Sequence, residues 1–139
     1  MIGSPVGGIF SGLGISGNNF NPTTSGTGNI SINYEFTDVN FCSNNITKST
    51  QVNALPIFSV AKTNATTCGG TQGTIVISGL NNSTVYAVGY KDDATTITPV
   101  NMTSSSTGVI IISGLNAGTY TDFAVKLNNC TTTNTSSLV

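Results

Sequence analysis

The stretch Gly108-Val109-Ile110-Ile111-Ile112-Ser113-Gly114-Leu115-Asn116-Ala117-Gly118-Thr119-Tyr120 reads as a strand, a turn and the start of a further strand. An earlier stretch, Gly73-Thr74-Ile75-Val76-Ile77-Ser78-Gly79-Leu80-Asn81-Asn82-Ser83-Thr84-Val85-Tyr86, nearly repeats it. Side chains branched at Cβ fit a pleated, half-buried surface better than a helical turn, so each copy begins as a strand. Gly79 and Gly114 are expected to end those strands. Glycine takes positive φ without steric cost, the following leucine can turn back into the core, and the asparagine can hydrogen-bond its own turn. This is a β-sandwich pattern. It carries no chemistry of its own.

Outward from these copies, composition narrows the class of protein. Among 139 residues only 6% are charged and the net charge is −1, so the polar surface must be built from Thr, Ser and Asn, with 16 glycines in the turns. Such a balance offers no electrostatic footprint for nucleic acid or anionic lipid. Histidine and tryptophan are both absent, which removes the commonest general base and the best stacking platform for sugars. No apolar run approaches the length of a membrane-spanning helix. No Ser/His/Asp, Cys/His or paired-carboxylate arrangement is present, and the reading is of a protein that is not an enzyme.

Taken in order, residues 1 to 28 are punctuated by Gly, Ser, Asn and Pro and read as short strands and loops. Ile30, Ile32, Tyr34 and Phe36 then alternate with Ser31, Asn33, Glu35 and Thr37, a period of two that predicts one buried and one wet face. Asp38-Val39-Asn40 is a turn in which Asp38 and Asn40 cap their own backbone, and Cys42 to Val52 is the antiparallel return. Asn53-Ala54-Leu55-Pro56 is the expected boundary, since proline removes a ladder donor and fixes φ. The division is therefore a partial or small module over 1–54 and a second module over 55–139. In the second, Phe58 and Val60 share a face, Tyr86, Val88 and Tyr90 share another, Pro99 interrupts a strand from Ile97 to Met102, and Phe123, Val125 and Leu127 alternate with Ala124 and Lys126. About seven strands in roughly 80 residues is the spacing of an immunoglobulin-like sandwich. The two motif copies, Gly73 and Gly108 being 35 positions apart, read as two equivalent hairpins within it.

Several phrases resemble repeats of Bacteroidetes cell-surface proteins, the gliding-type and other adhesins exported by the type IX secretion route. In the first module they are Gly7-Gly8-Ile9-Phe10-Ser11-Gly12, Phe20-Asn21-Pro22, the run from Ile32 to Cys42, and Val52-Asn53-Ala54-Leu55-Pro56. In the second they are Thr67-Cys68-Gly69-Gly70-Thr71, the two Ile-Ser-Gly-Leu-Asn blocks and Ala117-Gly118-Thr119-Tyr120. The resemblance implies a secreted, cell-surface setting and tandem immunoglobulin-like modules, and it is silent on ligand. Two departures stand out. Phe41 occupies the position where such repeats carry glycine before the turn cysteine. The strands and the cysteine that would precede Gly7 are missing, so the first module is incomplete at its N-terminus and Cys42 is unpaired or intermolecular. Either the sequence begins inside a repeat, or the sandwich is unusually small, or another chain donates the absent strands to an open edge.

Candidate sites are few. Cys68 and Cys130 open and close the second module, and a disulfide between them would staple its outer strands in an oxidising compartment, with reduced thiols as the alternative. Asp92 and Asp93 beside Lys91 form a weak candidate for Ca²⁺, which takes six to eight oxygens, so a solvated turn is the plainer reading and no cofactor is expected. An isopeptide crosslink would need a buried lysine among Lys48, Lys62, Lys91 and Lys126 together with Glu35, whereas Lys126 alternates with apolar neighbours and should face water. Tyr34, Tyr86, Tyr90 and Tyr120 would line a glycan site only if they left the core faces on which parity places them. The function these readings imply is a structural and adhesive repeat of an extracellular surface protein or filament, whose partners are copies of itself, neighbouring repeats or surface glycans. The competing reading is a carbohydrate-binding or accessory module of a secreted hydrolase.

Overall fold

Alternating β-branched and aromatic side chains hold most of the backbone extended. The computed structural model, which describes every residue except Cys68, contains twelve strands and one short helix. The chain divides into two units, Met1–Ala54 and Leu55–Val139.

In the first unit β1 (Ile9–Gly12), β4 (Gly28–Thr37) and β5 (Ser43–Val52) form an antiparallel sheet in the order β1-β4-β5. The two-residue strands β2 (Ile15–Ser16) and β3 (Asn19–Phe20) pair as a small hairpin. Asn21 caps the four-residue helix α1 (Pro22–Ser25), its side chain accepting from the Thr23 amide at 2.9 Å. The ladder between β4 and β5 runs unbroken from Gly28↔Val52 to Thr37↔Ser43. Residues directly opposite in such a ladder project to the same side. One face thus carries Ile30, Ile32, Tyr34 and Phe36 with Thr50, Lys48, Ile46 and Asn44. Ile30 and Tyr34 are buried, and the Tyr34 ring lies 4.6 Å from that of Phe10. The N-terminal segment folds over the same ring: the Tyr34 hydroxyl donates to the Pro5 carbonyl and accepts from the Gly8 amide at 2.8 Å. A Cβ on Gly8 would stand 2.5 Å from the ring, which is why the chain is bare there.

The second unit has two sheets. β6 (Ser59–Thr63), β7 (Gly73–Ser78) and β10 (Ile110–Leu115) are ordered β10-β7-β6, and β8 (Val85–Asp92), β9 (Thr95–Thr103), β11 (Tyr120–Leu127) and β12 (Cys130–Asn134) are ordered β12-β11-β8-β9. Their inward side chains share one sandwich-like core of Ile75, Ile77, Ile110 and Ile112 from one sheet and Tyr86, Val88, Phe123 and Val125 from the other. Phe58, Val60, Tyr90 and Leu127 pack at its margin. Pro99 lies on the edge strand β9, where a missing donor faces no partner, and the register shifts there opposite Gly89.

The two motif copies are not hairpins. β7 already has β6 and β10 as neighbours, and β8 has β9 and β11, so after each Gly-Leu the chain leaves its own sheet and crosses to the other. The copies are instead partners of one another in both sheets: Ile110↔Ile77 and Ile112↔Ile75 in the first, Val125↔Val88 in the second. They also end differently. Gly79 (φ +87) follows the last residue of β7, whereas Gly114 (φ +78) lies inside β10 at a bulge, and pairing resumes at Leu115↔Gly73.

Each crossover is fastened by its tyrosine. The Tyr86 hydroxyl accepts from the Asn81 amide at 2.9 Å, and the Tyr120 hydroxyl donates to the Asn116 carbonyl at 3.0 Å. The first is further held by buried Ser104, whose hydroxyl donates to the Asn81 carbonyl at 2.6 Å and accepts from the Thr84 amide at 3.0 Å. Leu80 plugs the core from this crossover, and its amide donates to the Gly108 carbonyl at 3.1 Å.

Candidate functional site

Asp92 ends β8 opposite Tyr120, and Asp93 sits in the tight turn before β9 at φ +50. One carboxylate oxygen of Asp93 accepts from the Thr119 amide at 2.7 Å, while its own amide donates to the Thr119 carbonyl at 2.7 Å. The side chain therefore pins the second crossover to the β8–β9 turn. Asp92 acts on its surroundings through charge. Burial first, and then the nearby Asp92 carboxylate, push the phenols of Tyr90 and Tyr120 above their ordinary value. Among the described residues no three His, Cys, Asp or Glu side chains converge in a way that would hold a metal.

The remaining predicted residues are dispersed. Lys91 pairs with Asp122 at 2.8 Å, both about half exposed, and Lys48, Lys62, Lys126 and Glu35 are exposed. Tyr34, Tyr86 and Tyr120 are buried, and Tyr90 stacks at 6.1 Å on the Phe123 ring rather than facing outward as a platform. Cys130 opens β12, half buried and opposite Leu127. The predicted Cys68–Cys130 pairing lies outside the described residues, because Cys68 does. Cys42 is exposed at the end of the β4–β5 hairpin.

Two features were not legible as sites. The first is a hollow of about 470 Å³ at one end of the second unit, between the segment that follows β6, the start of β7 and the second crossover. Its apolar lining includes Ala65, Ile75, Leu115, Ala117, Tyr120 and Leu138, and Lys62 is the only charged side chain among the described residues that line it. The turn-rich run from Thr63 to Gly73 was the available signal, since a long loop beside a shorter one leaves a concavity at the end of a sandwich. The second is the tip of the β4–β5 hairpin. Asp38 accepts with one carboxylate oxygen from the amides of Asn40 and Cys42, at 2.8 and 2.9 Å, and this closes the turn. Phe41 is thereby held at φ +65, with its ring 90% exposed, and Val39 is 93% exposed beside it.

Comparison of the chain with protein-family models, with curated proteins and with solved structures gives no match.

Proposed function

We propose that the chain is a non-catalytic structural and adhesive repeat of a bacterial extracellular surface protein, built from immunoglobulin-like modules. The supporting observation is the outer face of the first unit's sheet. Asn29, Ser31, Asn33, Glu35 and Thr37 on β4 lie directly opposite Gln51, Ser49, Thr47, Asn45 and Ser43 on β5. Ten paired positions thus present one broad, nearly uncharged array of hydrogen-bonding side chains, with Thr47 already donating to Asn33 across the strands at 3.2 Å. Such a surface adheres through many weak, salt-insensitive contacts rather than through ion pairs.

Three further observations support the modular reading. The second unit's sheets of three and four strands suit an immunoglobulin-like sandwich, and the Tyr120 hydroxyl reaching the carbonyl four residues upstream resembles the tyrosine corner of such domains. β5 is an edge strand of ten residues whose outer backbone groups have no partner in the sheet, which suits strand addition by a neighbouring chain.

Display of the chain on a non-adherent bacterial host tests the reading. Cells carrying it are expected to bind a hydrated polysaccharide or glass surface, and replacing Asn33, Thr47 and Ser49 together by alanine should reduce retention under flow. Retention equal to that of bare cells refutes the adhesive role.

A further inference from the structure

The tip of the first unit and the hollow of the second share features that single-chain stability does not explain. A non-glycine residue with positive φ is disfavoured by contact of its Cβ with the backbone, and an aromatic side chain is among the poorer choices there. Phe41 accepts that strain and gains no burial in return, since its ring is 90% exposed. Strain retained at an exposed position is a pointer to a role outside the fold. The neighbour is of the same kind: Val39 is also fully presented to solvent, so the hairpin ends in two apolar side chains over a turn closed by Asp38.

The hollow supplies the complement. Ala65, Leu115, Ala117 and Leu138 make a floor and wall of the polarity that Phe41 and Val39 require, and its volume of about 470 Å³ falls within the range of concave sites that enclose a ligand. The sole charge on the tip loop is Asp38 and, among the described residues, the sole charged side chain lining the hollow is Lys62, which also donates to the Val139 carbonyl; the two are of opposite sign. Position within each unit points the same way. The tip is at the end of the β4–β5 ladder remote from Val52, where the chain leaves the first unit, and the hollow is at the end of the second unit remote from Leu55, where the chain enters.

We propose that the Val39–Phe41 tip of one copy inserts into the Leu115–Leu138 hollow of a second copy. A tip and a socket on different surfaces make a heterologous contact, which leaves a free tip and a free socket after each addition and so propagates head to tail, as an open chain or a closed ring. The proposal rests on the structural-repeat reading above and supplies its mode of self-association.

Sedimentation velocity on the full chain in a Cys42→Ser background, with reductant present, tests it from about 1 µM to about 1 mM. Wild-type tips should give species that lengthen with concentration. Phe41→Gly, which relieves the positive φ and leaves the fold at least as stable, should weaken association by at least about tenfold, the effect of losing one buried aromatic anchor. Ala117→Trp, which fills the socket, should do the same. Because each variant keeps the half the other lacks, an equimolar mixture should form 1:1 dimers and nothing longer. A wild type that stays monomeric throughout, an assembly indifferent to Phe41→Gly, or a mixture that forms no dimers overturns the proposal. None of these results bears on retention of displayed cells, so the adhesive reading stands or falls separately.

Discussion

Gly108 and Gly114 allow the cost of backbone crowding to be separated from the cost of a positive φ. Both glycines have φ in the left-handed region, +72 and +78. Alanine at either position pays about 1–2 kcal/mol for that conformation, and gains the same smaller amount from a stiffer unfolded chain. The surroundings differ. A Cβ at Gly114 meets nothing within 4 Å, while one at Gly108 stands 2.0 Å from the Leu80 carbonyl oxygen and 3.0 Å from its carbon. Backbone has no rotamer to give, so the segments must part by more than an ångström. That loses the hydrogen bond from the Leu80 amide to the Gly108 carbonyl, about 1 kcal/mol, and lifts part of the Leu80 side chain out of the core, about 1–2 kcal/mol more. Gly108→Ala is therefore expected to cost about 3–5 kcal/mol and Gly114→Ala about 1–2 kcal/mol. Urea unfolding of the full chain, followed through the amide resonances of Ile75 and Ile77, reads the second unit alone. With a slope of about 1 kcal/mol per molar urea, the midpoint for Gly108→Ala should lie about 2 M below that for Gly114→Ala. Midpoints that agree within about 0.5 M would show that φ alone sets the cost, and would refute the crowding argument.

Ser104→Ala should destabilise the second unit by about 1–3 kcal/mol, because the Asn81 carbonyl and the Thr84 amide lose a buried partner together; calorimetry should show a fall of about 4–8 °C per kcal/mol, and exchange of the Thr84 amide should quicken. Alkaline pH should also weaken this unit. Tyr90 and Tyr120 hold their protons in the folded state beyond the ordinary phenol value of 10.0, so the unfolded chain releases protons first and stability, full below that value, falls as pH rises past it. Replacing both by phenylalanine should flatten that decline between about pH 10 and 12, as followed by circular dichroism; an unchanged slope would refute the assignment.

Parity made the strands and their buried faces legible. Ile75, Ile77, Phe123 and Val125 are alternating apolar residues in the sequence and are almost wholly buried in the core. What parity does not encode is which sheet a strand joins. Ile-Ser-Gly-Leu-Asn followed by a short polar run suits a hairpin or a crossover equally well, since both need positive φ and a leucine turned inward. The choice is made by distant residues, chiefly the partners that β7 and β8 have already taken. The bulge at Gly114 is hidden for a related reason: it depends on Leu115 pairing with Gly73, far away in sequence. Among the candidate sites, the capping role of Asp38 could be read locally because its partners are two and four residues away. The role of Asp93 could not, because its partner Thr119 comes from the other motif copy. Phe41 was visible only as a departure from an expected glycine, and its exposure and φ emerge from the closed turn.

Two near-identical strands side by side pose a register problem, because Thr74-Ile75-Val76-Ile77-Ser78 and Val109-Ile110-Ile111-Ile112-Ser113 would bury equally good faces after a slip of two residues. The hydrophobic pattern cannot choose between those registers. The ends can. The first copy places four residues between Asn81 and Tyr86 and the second places three between Asn116 and Tyr120, so the crossovers have different reach, and each tyrosine closes its hydrogen bond within its own crossover. Ser104 then holds the first crossover and Asp93 the second, each from the β8–β9 arm that lies between the copies. A slip by two residues would carry Gly108 away from the Leu80 amide and lose the hydrogen bond between them. The polar contacts at the crossovers thus specify a register that the isoleucines only stabilise, and this gives a role to Asp93 at the exposed meeting of the second crossover with the β8–β9 turn, in a chain whose open faces carry Thr, Ser and Asn.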